Sequence, residues 1–399
     1  MPWKETGPVN ERMCFVVEQE RRELSVAALC RAYGISRKTG YKWLARYQTA
    51  GAAGLSDRSR APRSHPQAVS PDLAELLRRA RATHPTWGPR KLIARLGADQ
   101  PGLQLPAAST VGAVLSRAGL TVRRRRRHHT PPNRSPLRPY AAANAVWCAD
   151  FKGHFQTADE AVCYPLTITD GYSRYLLRCQ AVPTQGVLHA QPIFDAAFRE
   201  FGLPAAIRTD NGAPFASTGL AGLSQLSVWW IKLGIVPERI DPGKPAQNGR
   251  HERMHRTLKQ ETATPPKATL RAQQRAFDAF CQEYNHERPH EALGQVPPAT
   301  AFEPSSRPYR GRPAELVYPD AEDTRQVHHQ GEVRWHGHAY FLTEALAGEL
   351  VGLQAQSAGR WQVLFGPLVL GTLDEERGKL VPLKPRDGKP SRRSDSPDL

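Results

Sequence analysis

Three acidic residues stand where a folded chain can collect them into one site. Asp150 lies in the β-prone run Val146–Phe151, and Asp210 follows a short apolar run at 204–207 and precedes Asn211-Gly212. Glu252 falls on a helix entered through the Gly/Pro-rich stretch Pro242-Gly243-Lys244-Pro245. Strand ends and an adjacent helix start can gather ligands from distant sequence, and hard carboxylate oxygens suit Mg2+ or Mn2+. Two such ions, about 3.5–4 Å apart, activate a water or a 3′-hydroxyl and stabilise the leaving oxygen of a phosphodiester. The bond is then displaced in line, without a covalent intermediate.

The neighbours of these acids add detail. Arg256 and Lys259 follow Glu252 by four and seven residues and share its helix face, as a metal ligand beside a phosphate track requires. An exposed Glu252–Arg256 ion pair is the plainer account of the same spacing. His251, His255 and Leu258 form the next stripe, facing either the core or DNA. Glu261 on the same helix and Asp170 in a predicted hairpin turn with Gly171 are the rival acids. Asn211-Gly212 is expected to shape the loop after Asp210, Asn248-Gly249 to cap the helix, and Lys244 to meet a phosphate. Arg288 and His290 are read as structural rather than DNA-contacting.

The elements that must position these residues follow from composition and pattern. At 399 residues with 40% hydrophobic content, the chain divides into several domains with real cores. It holds no run of about 18 apolar residues, and its first residues lack the apolar core of a signal peptide. Six cysteines without a Cys-x-x-Cys pair point to a reducing cytoplasm and away from zinc. Residues 1–139 hold 26 Lys+Arg against 9 Asp+Glu, whereas 140–399 hold 29 of each. The whole excess of +17 therefore sits in the first third, as in a nucleic-acid-binding arm on a near-neutral body.

Within that arm, Ser25 and Ser36 are predicted to cap two helices around a turn at Gly34. This is a helix-turn-helix layout, domain 1–55. Arg37, Lys38, Thr39 and Lys42 are placed to reach DNA, Tyr41, Leu44 and Ala45 to face the core, and Gly40 to weaken the second helix. After a linker at 56–67, Ser70-Pro71-Asp72, Trp87-Gly88-Pro89 and Ser109 open three short helices of a second DNA-binding module, 68–122, with Arg90 and Lys91 among its contacts. Arg123, Arg124, Arg125, Arg126 and Arg127 begin a basic linker, 123–139, read as an extended arm on phosphates or the minor groove.

From residue 140 the pattern becomes β-β-β-α-β-α-β-α, a mixed sheet flanked by helices. It includes a strand from Tyr172 to Ala181 and helices at 188–201 and 220–233. A Pro/Arg-rich linker at 307–320 leads to short β-prone runs within 322–385, read as a small antiparallel barrel. The tail beyond 385 reads as disordered.

The motifs Trp147-x-x-Asp150-Phe151, Thr169-Asp170-x-x-Ser173-Arg174, Thr209-Asp210-Asn211-Gly212 and Gly243-Lys244-Pro245-x-x-Asn248-Gly249-x-x-Glu252-Arg253 resemble those of DDE-type insertion-sequence transposases with a retroviral-integrase-like core. So does Tyr284-Asn285-x-x-Arg288-Pro289-His290-x-x-Leu293-Gly294, followed by Pro297-Pro298-Ala299. The resemblance implies an RNase H-like α/β core over 140–304, with Asp150, Asp210 and Glu252 as catalytic metal ligands for Mg2+ or Mn2+. The 41 residues between Asp210 and Glu252 exceed the family's usual gap; the excess is expected in Phe215–Trp230 as an inserted helical turn.

The full expectation is a multidomain transposase with all-α helix-turn-helix modules, this core and a C-terminal barrel. It would bind double-stranded DNA at the element's terminal inverted repeats, cut it and join it to target DNA. It would work as a homo-oligomer near the nucleoid of a prokaryotic cytoplasm, with no membrane partner. A catalytically silent DNA-binding protein or repressor is the alternative, and a nuclease acting on RNA in hybrids is a third reading that leaves the N-terminal modules without a role.

Overall fold

Serine side chains punctuate the first of two compact units, residues 1–70 and 71–399. The computed structural model describes residues 7–59, 68–121, 137–241 and 244–382. Arg123–Arg127, the histidines after them, part of the 56–67 linker and the tail beyond 385 lie outside the described residues.

In the first unit, α1 (Pro8–Glu20), α2 (Val26–Ala32) and α3 (Arg37–Ala50) enclose Phe15, Val16, Leu29, Cys30, Trp43, Leu44 and Leu55. Ser25 accepts from the Ala28 N–H, and Ser36 accepts from the Thr39 N–H. Gly34 takes the left-handed turn at φ +63°. The expected inward face of α3 is rotated: Tyr41 is 58% exposed and Ala45 is exposed, while Gly40, Trp43 and Leu44 are buried. Gly40 is the reason. A Cβ there would meet Cys30 Sγ at 2.5 Å and Phe15 Cζ at 3.0 Å, so a residue that weakens the helix on its own is what lets three helices close.

The second unit opens with α4 (Pro71–Thr83), α5 (Pro89–Asp99) and α6 (Ala108–Arg117), packed through Leu77, Trp87, Leu92, Leu96, Val111 and Leu115. A six-stranded mixed sheet follows. It comprises β1 (Val146–Phe151), β2 (Phe155–Gln156), β3 (Val162–Asp170), β4 (Leu176–Val182), β5 (Ala206–Thr209) and β6 (Val236–Arg239). The order is β2-β3-β1-β5-β6, with β4 also on β3. β1 runs antiparallel to β3 and parallel to β5, so it is central.

Helices α7 (Val187–Phe201) and α8 (Gln225–Lys232) cover one face, over Trp147, Ala149, Leu166, Ile168 and Ile207. Helices α9 (Gly249–Thr262) and α10 (Leu270–His286) cover the other, over Cys163, Leu176 and Cys179. Because strand side chains alternate, β1 sends Trp147 and Ala149 to the α7 face.

Two expected elements differ from those observed. The strand expected from Tyr172 starts at Leu176, because the Asp170 carboxylate accepts from Ser173 N at 2.7 Å and Ser173 Oγ at 2.6 Å and holds the intervening residues in a turn. The helix expected over 220–233 starts only at Gln225, where Ser224 and Ser227 form a reciprocal capping box. Ala221 and Gly222 have positive φ and break the helical path before it. The stretch before Gln225 therefore runs as a loop with one short 3-10 turn at Leu220–Gly222.

The last region has β7 (Asp323–Gln326), β8 (Glu332–Trp335), β9 (His338–Phe341), β10 (Leu350–Ser357), β11 (Arg360–Phe365), β12 (Leu368–Asp374) and β13 (Lys379–Pro382). It is not a closed barrel. β13-β12-β11-β10-β7 form an open antiparallel sheet, and β8-β9 form a separate hairpin. The edge strands β7 and β13 do not pair; the hairpin instead buries Val333, Trp335 and Tyr340 in the sheet's core. Leu223, Val228 and Ile231, from the loop and α8, enter the same core, and Lys232 pairs with Glu349 at 2.8 Å. The expected linker is also fixed in place. Arg307 donates to the carbonyls of Pro204, Leu233 and Gly234 at 2.8–3.0 Å.

Gly40→Ala gives the first test. Helix propensity favours alanine by about 1 kcal/mol, but overpacking typically costs about 1–3 kcal/mol. The thermal midpoint is therefore expected to fall. In Gly40→Ala/Cys30→Ala the loss should be smaller than the sum of the two single losses; simple additivity would show that the Cys30 contact is not the cause.

Candidate active site

β1 ends beside β5, and α9 begins over the face that Asp150 shares with Thr167 and Thr169 of β3. In the β1–β3 register Asp150 stands opposite Thr167, and Cys148 opposite Thr169. Asp210 comes one residue after β5 and is half-buried. The Gly212 N–H donates to its Oδ1 at 3.1 Å, and a Cβ on Gly212 would come within 3.2 Å of its Oδ2. Asn211 Nδ2 donates to the Ile240 carbonyl at 2.8 Å, which ties this loop to the approach to α9. Glu252 lies in the first turn of α9, exposed.

Electrostatics links the three acids. Burial first, and then the charges of Asp210 and Glu252, raise the Asp150 carboxyl from 3.8 to about 7, against the Phe151 N–H and Lys152. Among the described residues no cation lies within salt-bridge distance of Glu252, so the expected Glu252–Arg256 pair is absent. Arg256 and Lys259 are exposed on the Glu252 face.

Asn248 holds the cap position of α9 but does not cap it. Its φ of −108° and ψ of 12° are not those of an extended cap residue. Its Nδ2 instead lies 3.5 Å from Asp150 Oδ2, and its buried Oδ1 has no partner among the described residues. Carboxylates whose charges raise Asp150, beside an amide oxygen without a partner among the described residues, are a donor set that fits a hard divalent ion.

The stripe beside Glu252 faces inward. His251 and His255 are buried and uncharged, His251 pushed down to about 3 and His255 well below its usual value by burial. Both rings reach Thr167. Sequence periodicity placed these histidines on one face, but nothing in it pointed to Thr167 or to the amide of Asn248.

The rival acids have structural partners. Glu261 accepts from Arg288 at 2.8 Å and from the Thr86 hydroxyl. Asp170 is fully buried and also accepts from Asn144 N at 2.8 Å. Arg288 is buried as well, donating to Thr86 Oγ1 at 3.2 Å with its guanidinium 5.8 Å from the Trp87 ring. His290 packs against Tyr284, and burial pushes it down to about 3.

The residues expected to touch DNA divide into groups. Arg37, Lys38 and Lys42 are exposed along α3, with Lys42 Nζ 4.2 Å over Trp43, whereas Thr39 is half-buried and bonded to Ser36. Lys244 is exposed and donates to Asp241 at 2.8 Å. Arg90 pairs with Glu291 at 2.6 Å. Lys91 is half-buried, pushed down to about 8 by burial and then by Arg288. Those two side chains face the acidic residues of the mixed-sheet core, so a phosphate reaching Arg90 would have to compete with Glu291.

Comparisons with known proteins give a consistent picture. Integrase core domain families match residues 141–245 and 233–298. A homeodomain-like domain family matches 39–115, and a helix-turn-helix domain family matches 12–63. The insertion element IS407 uncharacterized 31.7 kDa protein of Burkholderia multivorans is 33% identical over 187 residues, 46% of this chain and 64% of that protein. The chain therefore spans just under two thirds of that relative's length. The insertion element IS476 uncharacterized 39.2 kDa protein of Xanthomonas euvesicatoria is 27% identical over 299 residues, 74% of this chain and 78% of that protein. Among solved structures, a simian T-cell lymphotropic virus intasome in complex with PP2A regulatory subunit B56 gamma is 16% identical, with a TM-score of 0.37 over 75% of this chain and 96% of that one.

Two expectations follow from the electrostatics. Without divalent cations, Asp150 ionises near 3.8 when unfolded and near 7 when folded. At Asp150 the folded state binds more protons across that window, so this group's contribution to stability falls as pH rises through it, against a rise from His251, His255 and His290, which burial holds uncharged in the folded state. Urea titrations at several pH values should show stability rising more steeply with pH in Asp150→Asn than in the wild type; an unchanged slope would remove Asp150 as a contributor. Glu261→Gln leaves the Arg288 charge without its partner and should cost about 3–5 kcal/mol without changing Mn2+ binding. A loss of Mn2+ binding at preserved stability would restore Glu261 as a candidate ligand.

Proposed function

We propose that the chain, which matches integrase core domain families and is similar to two insertion-element proteins, is an insertion-sequence transposase with an RNase H-like core that cuts and joins DNA with divalent metal ions. Asp150, Asp210 and Glu252 are the proposed ligands and catalytic residues. The observation that carries the reading is the upward push on Asp150 by burial and by the other two carboxylates. Repulsion of this kind is costly to maintain, and a bound cation reverses it.

Mg2+ or Mn2+, two ions in the proposed scheme, would supply activation of a water or 3′-hydroxyl and stabilisation of the leaving oxygen. The chain's own residues orient the substrate. Arg256 and Lys259, exposed beyond Glu252 on α9, are placed to hold phosphates along the approach to the acids, and Lys244 borders the same helix entry. Arg37, Lys38 and Lys42 present the exposed edge of α3 to a DNA groove, in the manner of a recognition helix. The basic run Arg123–Arg127 would add salt-dependent phosphate contacts. Two element ends must be held together, so the active form is proposed to be a homo-oligomer on DNA.

The test is strand transfer of a pre-cut element end into plasmid DNA with Mg2+ or Mn2+, comparing the wild type with Asp150→Asn, Asp210→Asn and Glu252→Gln. Each variant should lose joining by at least about a thousandfold while still retarding the labelled end in a gel, and the joining species should sediment as a dimer or larger. Binding by every protein with joining by none, the wild type included, would favour a silent DNA-binding protein.

A further inference from the structure

Behind Asp150 lies a line of buried polar groups that bond to one another. Thr169 Oγ1 is 3.1 Å from His251 Nδ1, and His251 Nε2 is 2.6 Å from Thr167 Oγ1. Thr167 Oγ1 is in turn 2.6 Å from His255 Nε2, and His255 Nδ1 stands 3.7 Å from Asp150 Oδ2. All four residues are at least nine-tenths buried, at 8%, 2%, 0% and 3% exposure in that order. Thr167 Oγ1 is also 3.1 Å from the Asp150 backbone carbonyl, so strand pairing fixes the hub of the line relative to the acid.

Thr167 is the hub of the line. A neutral imidazole has one N–H and one lone pair, and a hydroxyl has one hydrogen and two lone pairs. The Thr167 hydrogen goes to the Asp150 carbonyl, which can only accept, and its two lone pairs accept the Nε2–H groups of His251 and His255. The His251 Nδ1 lone pair then accepts from the Thr169 hydroxyl. His255 Nδ1 stands 3.7 Å from Asp150 Oδ2, longer than a hydrogen bond.

We propose that Thr167, His251 and His255 form a hydrogen-bonded chain centred on Thr167 that fixes Asp150 through its backbone and so positions its carboxylate to hold its cation. The chain rests on the reading of Asp150 as a metal ligand. Its members are positioning residues; none meets the substrate. One carboxylate and two imidazoles lie close enough together to suit a transition-metal ion, but both Nε2 atoms already share the Thr167 hydroxyl. That shared bond favours a chain over a ligand set.

The experiment measures Mn2+ binding by the purified full-length protein without DNA, from the loss of the free-ion paramagnetic resonance signal, with thermal midpoints as the folding check. Thr167→Val, which keeps the side chain's shape, and His255→Leu should each weaken binding roughly tenfold, as losses of such supporting partners do. His255→Asn, which restores a donor, should recover most of the affinity. The double variant Thr167→Val/His255→Leu should lose no more than either single variant, because one break interrupts the whole chain.

Wild-type affinity in Thr167→Val and His255→Leu, with none in Asp150→Asn, would overturn the chain and leave the proposed active site standing. Wild-type affinity in Asp150→Asn would overturn both. Zn2+ binding tighter than Mn2+ binding, and lost in His251→Gln, would make the histidines ligands and overturn the chain.

Discussion

The Asp150 carboxyl, buried and raised by the charges of Asp210 and Glu252, sits at one end of a mixed sheet, and much of the second unit fixes it there. The pairing of β1 with β5 fixes Asp150 beside the start of the Asp210 loop, through the register Val146 to Ala206 and Cys148 to Arg208. Arg208 anchors the far side of β5 in a buried pair with Glu238 at 2.9 Å. On the other face, Met254 and Leu258 seat α9 against the sheet and bring Glu252 into the field felt by Asp150. Apolar burial on both faces offsets a local arrangement that electrostatics alone would push apart.

The long stretch between Asp210 and Glu252 acquires a purpose in this frame. Phe215, Leu226 and Trp230 enter the core beneath α7, while Leu223, Val228 and Ile231 enter the core of the C-terminal sheet. A segment buried on two sides joins the open β-sheet to the mixed-sheet core. Arg307 completes the junction by donating its guanidinium to three carbonyls at the ends of neighbouring elements.

The helical module of residues 71–121 is tied to α9 and α10 through a cluster centred on Arg288. Glu261, Thr86, Trp87 and Lys91 surround that guanidinium, and His84 pairs with Glu283 at 3.2 Å. The cluster explains why Glu261, an acid on the same helix as Glu252, takes a structural partner. It also explains why Lys91, basic in sequence and expected at DNA, is half-buried. Charge on a helix says that a partner exists; it does not say whether that partner is a phosphate or a carboxylate of the same chain.

What the sequence determined by itself was local or combinatorial. Ser25, Ser36 and Gly34 marked the helix ends because capping and positive φ depend on a residue and its near neighbours. Alternation in β-prone runs and the motifs around Asp150, Asp210 and Glu252 gave the mixed sheet and a candidate site. The tertiary structure decided which neighbour each face met. Tyr41 turned outward because Gly40 set the close approach of three helices, Asn248 left its cap to face Asp150, and His251 and His255 turned inward to Thr167. The β-prone runs after residue 322 gave strands, but whether their edges closed depended on where the β8–β9 hairpin packed. A helical period fixes a stripe and a strand period fixes two faces; the contact made across space depends on residues tens or hundreds of positions away, and no local pattern encodes it.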